Sequence, residues 1–258
     1  MSVTLLEKIC LLSHVTQKAK EFFLAHPNYQ LSLSEQKMFS DLLTRAEQGE
    51  PLAYLLGKKE FWSRDFYVTR DVLIPRPETE HLIEYCLSYF KKENLKVLDL
   101  GTGSGIIAIT LKKEKPSWIL YASDLSKASL NLAQKNADFH NTLIHFYQSD
   151  WFKQIPPDLK FDVIVSNPPY IAEHDPHLLE LKFEPLPALM AAENGTAAIK
   201  EIIVEAKKFL HSAGILIIEH GWDQADAIQT LLIQENYTIV LLGKDLANHA
   251  RFVVAQSK

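Results

Sequence analysis

Two short segments carry residue types that can do chemistry together. The first is Asn167-Pro168-Pro169-Tyr170, which directly follows the apolar run Phe161–Ser166. Two successive prolines stop a strand and remove two backbone N–H donors. Pro168 also pushes Asn167 into an extended conformation, which fixes where its side chain points. Oδ1 of Asn167 and a neighbouring carbonyl, that of Asn167 or Pro168, then form a rigid pair of acceptors, with Tyr170 as an aromatic wall. Such a pair suits a planar nitrogen conjugated to a carbonyl or a ring. The lone pair of that nitrogen is delocalised, so it is a poor nucleophile. As it is alkylated, positive charge grows on its N–H groups. Fixed acceptors stabilise that charge more in the transition state than in the ground state.

The second segment is Val97-Leu98-Asp99-Leu100-Gly101-Thr102-Gly103-Ser104-Gly105. A buried strand runs into three glycines at alternate positions, and a helix follows. Glycines there permit a tight turn and let a ligand touch the backbone. A dinucleotide fingerprint wants G-x-G-x-x-G, but Gly105 and Ile106 break that spacing,. Asp124 ends the next strand, about 20 residues on, where a carboxylate can accept from both hydroxyls of a ribose. Together these features resemble the S-adenosylmethionine site of class I methyltransferases.

The elements that must position both segments are legible from periodicity. Apolar spacing over 3–25 predicts a helix, and a second starts near Ser34 and runs to Gly49, with a short one after Pro51. Residues 57–74 predict a β-hairpin around Ser63-Arg64-Asp65. Strands and helices then alternate. Strands are expected at 96–100, 118–123, 145–148, 161–166, 215–219, 237–242 and 252–255. Helices are expected at 78–90, 105–113, 126–139, 196–210 and 223–234. This pattern implies an α/β domain with a doubly wound, mostly parallel sheet covered on both faces. The last two strands lie too close for a crossover and predict an antiparallel hairpin. The expected division is 1–56 as a small N-terminal helical domain, 57–74 as a linker and 75–258 as the catalytic domain.

Composition narrows the classes further. The chain has 258 residues, 47% hydrophobic and 23% charged, which excludes a mainly disordered chain,. A net charge of −5 argues against broad binding to a phosphate backbone,. Cys10 and Cys86 form no metal motif and no disulfide scaffold, which points to a reduced, cytoplasmic setting. No run approaches a bilayer span and no signal-peptide layout is present. The ten histidines make no H-x-x-x-H pair, so no metal is expected,. His174 and His177 read as solvated residues near the site.

The sequence resembles the release-factor glutamine N5-methyltransferases, the HemK/PrmC family. The resemblance covers nearly the whole chain. Leu73-Ile74-Pro75-Arg76-Pro77-Glu78-Thr79-Glu80 is similar to the family's entry to the catalytic domain. Gly49-Glu50-Pro51-Leu52-Ala53-Tyr54 and Glu60-Phe61-Trp62 are similar to its linker. Glu184-Pro185, Glu219-His220-Gly221-Trp222 and the Asp245–Arg251 segment are similar to later blocks. The N-terminal helical region is somewhat short for the family.

The resemblance implies methyl transfer from S-adenosylmethionine to the side-chain amide of the glutamine in the Gly-Gly-Gln motif of peptide chain release factors. It implies that Gly101, Thr102, Gly103, Ser104 and Gly105 contact the methionine part, and that Asp124 holds the ribose. Asp150-Trp151 would flank the adenine. Asn167, Pro168, Pro169 and Tyr170 would hold the glutamine, with Asn167 and Pro168 accepting from its amide; Asn167, Pro168 and Tyr170 would be the catalytic residues, and Asn167 would also touch the cofactor. Arg76 shapes the cleft or makes an ion pair at a domain junction, Trp151 flanks the cofactor or is plain core, and Glu219 orients the site or is solvated. The expected partner is a release factor, met by a monomer, with no membrane and no direct nucleic acid. The alternative is an N-methyltransferase of an exocyclic base amine, which faces the same lone-pair problem but needs a basic groove.

Overall fold

A computed structural model of the chain describes residues 3–258. The chain divides into two compact units, the first ending at Lys59 and the second running Glu60–Lys258. The first unit contains α1 (Leu5–Thr16), α2 (Lys20–Ala25), α3 (Leu33–Glu47) and α4 (Leu52–Leu56). The spacing over 3–25 predicts one helix, and the chain forms two. Gln17 turns left-handed at φ 57°, and Ser13 Oγ donates to the Lys18 carbonyl at 2.6 Å, which closes the break. The start expected near Ser34 moves to Ser32. There Glu35 N–H donates to Ser32 Oγ at 3.3 Å, and Ser32 N–H donates back to Glu35 Oε2 at 2.7 Å,.

β1 (Lys58–Phe61) and β2 (Arg64–Tyr67) pair as a hairpin. Its turn is Trp62-Ser63, both at positive φ (51° and 55°), the two-residue geometry whose twist matches the strands,. Arg64 and Asp65, expected in the turn, lie in β2 instead. Of the expected 57–74 linker, residues 57–59 fall in the first unit and residues 60–74 in the second.

The larger unit continues with α5 (Glu80–Tyr89), β3 (Lys96–Leu100), α6 (Ile106–Glu114), β4 (Ile119–Asp124), α7 (Lys127–Phe139), β5 (Ile144–Gln148) and β6 (Phe161–Ser166). A short parallel pair follows, β7 (Ile171–Ala172) and β8 (Met190–Ala191), then the one-turn α8 (Ala192–Gly195). The chain closes with α9 (Ala197–Ala206), β9 (Leu210–Glu219), α10 (Ala225–Gln234), β10 (Tyr237–Lys244) and β11 (Ala250–Ser257).

Seven strands form one sheet in the order β10-β11-β9-β6-β3-β4-β5. The pairs β9-β6, β6-β3, β3-β4 and β4-β5 are parallel, and β11 is antiparallel to both neighbours. The expected doubly wound sheet and terminal hairpin are therefore present. Its two faces follow the period-2 alternation of side chains. Val97, Val163, Val165, Ile215 and Ile217 pack in one core with Leu82, Ile83, Ile107 and Ile109 from α5 and α6. Leu98, Leu100, Ile164, Leu216 and Ile218 pack in the other with Ile199, Ile202, Ile203, Ile228 and Leu232 from α9 and α10. The helix expected over 196–210 stops at Ala206, because the sheet claims the next residues: Leu210 pairs with Phe161, and Phe161 N–H donates to the Phe209 carbonyl at 2.8 Å.

Ile164 is fully buried in a central strand. Ile164→Ala is expected to destabilise the protein by about 2–5 kcal/mol in urea unfolding. Leu143→Ala, at a residue 72% exposed, is expected to stay within about 0.5 kcal/mol of wild type. Equal losses at the two positions would contradict the assigned core.

Candidate functional site

Parallel register sets the positions of the chemical residues. Leu100 at the end of β3 is level with Ser123 in β4 and with Ser166 in β6. Gly101, Asp124 and Asn167 follow those three residues, so they leave the sheet side by side at its carboxyl edge. Ligands of open α/β sheets bind there. A cavity of about 460 Å³ opens at this edge and is lined by Gly101, Thr102, Gly103, Ser104, Asp124, Trp151, Asn167, Pro168 and Pro169. That volume lies in the ordinary range for small-molecule sites.

The glycine turn is tied down from two sides. Gly101 and Thr102 N–H both donate to the Ser123 carbonyl, at 2.9 and 2.8 Å. Gly103 N–H donates to Asp124 Oδ2 at 2.9 Å, and Ser126 N–H to its Oδ1 at 2.9 Å. Burial raises the Asp124 pKa, and these two amides work against that rise. Gly101, Gly103 and Gly105 all have left-handed φ (76°, 55° and 85°),. A Cβ on Gly101 would come 3.3 Å from Trp151 Cζ3, so the indole lies directly over the turn. Trp151 both lines the cavity and packs on the core.

Two of the expected contact residues stand behind the cavity and do not line it. A Cβ on Gly105 would approach Ile109 Cδ1 to 2.8 Å and Ala133 Cβ to 3.2 Å. Gly105 is therefore where α6 and α7 come close, and its effect on the site passes through the turn. Tyr170 is not the expected aromatic wall. Its ring packs on the core, and its hydroxyl donates to Glu219 Oε1 at 3.2 Å. Burial, followed by the neighbouring Glu219 charge, pushes its pKa upward.

Asn167 belongs to a chain of hydrogen bonds. Its Nδ2 donates to Thr79 Oγ1 at 3.0 Å, and Thr79 Oγ1 donates to Glu219 Oε2 at 2.8 Å. Glu219 ends β9 and is 1% exposed, not solvated. Its pKa is pushed up to about 7, first by burial, against the pull of the Thr79 and Tyr170 hydrogen bonds. Arg76 lines the cavity and pairs with buried Glu184 at 2.5 Å. Glu184 also accepts from Ile74 N–H at 3.0 Å, which holds segment 74–76 against the 184–188 stretch whose Pro185 and Pro187 line the same cavity.

Thr79 was not singled out among the sequence's candidates, and neither was Asp99. Asp99 is fully buried at the end of β3. Its Oδ2 accepts from Thr102 Oγ1 at 2.6 Å and from Ala108 N–H at 3.1 Å, which joins the glycine turn to α6. Its Oδ1 has no partner in the structure. Burial pushes its pKa up to about 7. The signal was a lone carboxylate inside the apolar run Val97–Leu100. His174 and His177 are exposed, and His177 sits 2.7 Å from Asp175. Among the described residues no group of three or more His, Cys, Asp or Glu could hold a metal ion, and no helix is long and apolar enough to cross a membrane.

A sheet in this strand order, with a glycine turn after β3 and a carboxylate after β4, is the methyltransferase fold. A "Methyltransferase from Pyrococcus furiosus" superposes with a TM-score of 0.59 at 16% identity, covering 84% of this chain and 98% of that one. Residues 80–181 match the family model of the methyltransferase small domain, and residues 6–57 match that of the PrmC N-terminal domain. The release factor glutamine methyltransferase of Coxiella burnetii is 45% identical over 248 residues, 95% of this chain and 89% of that protein. The one from Escherichia coli is 42% identical over 250 residues, 95% of this chain and 90% of that protein. The chain belongs to the release factor glutamine methyltransferase family.

Asp99 gives a stability test with a definite sign. Its folded pKa lies above its unfolded value of 3.8. Its neutral form is favoured in the folded state, so its contribution is full at low pH and is lost as pH rises through about 7,. Asp99→Asn, which stays neutral, is expected to gain in melting temperature relative to wild type as pH rises from about 5 to about 8. A gap that shrinks over that range would contradict the assigned burial.

Proposed function

We propose that the chain transfers the methyl group of S-adenosylmethionine to the side-chain amide nitrogen of the glutamine in the Gly-Gly-Gln motif of peptide chain release factors. The observation that carries this reading is the placement of the Asn167 amide at the cavity edge, next to the glycine turn, in a member of this family. The residues present suit the cofactor. Gly101 leaves only hydrogen's room beneath Trp151, and Asp124 presents a carboxylate at the end of β4. The turn Gly101–Ser104 and the first amides of α6 would hold the methionine part, with its carboxylate favoured at the positive end of the helix,. Asp124 would hold the ribose, and Trp151 would cover the adenine.

When bound, the cofactor offers a sulfonium methyl: the nitrogen lone pair forms the new C–N bond while the C–S bond breaks and its electron pair stays on sulfur. Asn167 Oδ1 and the Pro168 carbonyl accept the two N–H groups of the incoming amide. They hold its lone pair in line with the methyl and stabilise the charge that grows on nitrogen. No base is needed before attack, because one N–H proton becomes acidic once the nitrogen is alkylated and is then lost to water. Pro168 and Pro169 supply no competing N–H donors at this edge. We assign release-factor docking to the helical region 1–56, the link to 57–74 and the transfer to 75–258.

Purified protein incubated with S-adenosylmethionine and a release factor is expected to add one methyl group to the Gly-Gly-Gln glutamine, read by mass spectrometry of the tryptic peptide. Asn167→Ala is expected to lower turnover by about 100-fold or more while cofactor affinity stays within about threefold. Methylation of ribosomal RNA with none on the release factor would favour an exocyclic base amine as the acceptor instead.

A further inference from the structure

An asparagine amide has nearly the same shape in its two orientations, so packing alone does not choose between them. The choice matters at Asn167. With Oδ1 toward the cavity it accepts from the incoming amide. Turned over, it presents two N–H donors to another N–H donor, and no acceptor remains. We infer that Thr79 and Glu219 are positioning residues that fix the Asn167 amide with Oδ1, not Nδ2, facing the methyl-accepting nitrogen. This rests on the functional reading above and adds to it how the acceptor is held.

Direction is imposed by counting protons. The Glu219 carboxylate, when ionised, only accepts, so it takes the single proton of the Thr79 hydroxyl at 2.8 Å,. Thr79 Oγ1 then has only lone pairs left, and these accept only from an N–H of Asn167, at 3.0 Å. Tyr170 donates to the other carboxylate oxygen and holds it in place. Thr79 precedes α5, where a threonine hydroxyl commonly caps the helix. Here it makes no cap bond, because it is committed to Glu219 and Asn167. A carboxylate buried against two neutral hydroxyls costs stability, and an apolar pair of equal volume would serve the core better.

The groups facing Glu219 are Glu78 and Thr79 ahead of α5, Tyr170 after β6 and Arg251 on β11. Glu78 raises its pKa and Arg251 lowers it, while burial dominates. His220, next along the chain, is held toward its neutral form by burial. Once Glu219 takes up a proton it can itself donate to Thr79, and the chain of bonds loses its fixed direction.

The test compares release-factor methylation by wild type, Thr79→Val, Thr79→Ser and Glu219→Gln between about pH 6 and pH 8. Thr79→Val is expected to lower kcat about 10- to 100-fold with the cofactor KM within about twofold, and Thr79→Ser to stay within about threefold of wild type. Wild-type kcat is expected to fall as pH drops through about 7. Glu219→Gln, which cannot titrate and can donate to Thr79 as protonated Glu219 does, is expected to lose that acid limb and to show at every pH the lowered kcat of wild type at low pH. A working wild type with Thr79→Val equally active, Thr79→Ser as poor as the valine variant, or an acid limb retained in Glu219→Gln overturns this inference alone. A wild type that leaves release factor unmethylated overturns the functional reading with it. If Thr79→Val does not fold, the pH profile of Glu219→Gln decides.

Discussion

Leu100 and Ser166 lie side by side in parallel register, and the Ser166 hydroxyl donates to the Leu100 carbonyl at 2.6 Å. From that pairing the glycine turn and the Asn167-Pro168-Pro169 segment leave the sheet as neighbours. Strand side chains alternate, so a slip of one residue would send Asn167 to the opposite face, away from Thr79. The same alternation aligns Asn167 with Val165 and Glu219 with Ile217, whose side chains pack on the α5 and α6 side of the sheet. The same slip would exchange Val163 and Ile164 between two cores that are packed by different helices,.

On that frame, three carboxylates at strand ends do different work. Asp99 links the Thr102 hydroxyl to the Ala108 amide and so holds the turn to α6. Asp124 accepts from Gly103 and Ser126. Glu219 accepts from Thr79 and Tyr170. Burial pushes Asp99 and Glu219 up to about 7, so both sit where charge is expensive to keep,. Such costs gather at functional sites because what they supply is a fixed geometry and not stability. The Arg76–Glu184 pair extends the same economy of orientation to the outer wall of the cavity.

The parallel sheet was legible because Lys96–Leu100 and Phe161–Ser166 are short apolar runs that end in glycine or proline, and each signal is local,. The glycine turn, Asp124 and Asn167 were legible because they stand at the ends of such runs, whereas Trp151 was named only through the family resemblance; Gly101, Asp124, Trp151 and Asn167 all line the cavity. The Ser32 and Glu35 cap was missed in favour of Ser34, and the helix over 3–25 broke at Gln17, because boundaries depend on single residues and not on periodicity. Tyr170 was given the wrong surroundings and Thr79 no role at all. Their partner, Glu219, is 49 residues from Tyr170 and 140 from Thr79, and sequence spacing says nothing about contacts at that range.

In the proposed reaction one amide oxygen, held in a fixed direction by a buried carboxylate, receives the glutamine that is to be methylated. A crystal structure with S-adenosylhomocysteine and a Gly-Gly-Gln peptide tests it most directly. The glutamine amide nitrogen is expected within hydrogen-bond distance of Asn167 Oδ1, with Nδ2 still on Thr79 and the sulfur over the face of the glutamine amide, in line with the nitrogen lone pair,. A glutamine bound away from Asn167, or one that meets Asn167 Nδ2, would contradict it.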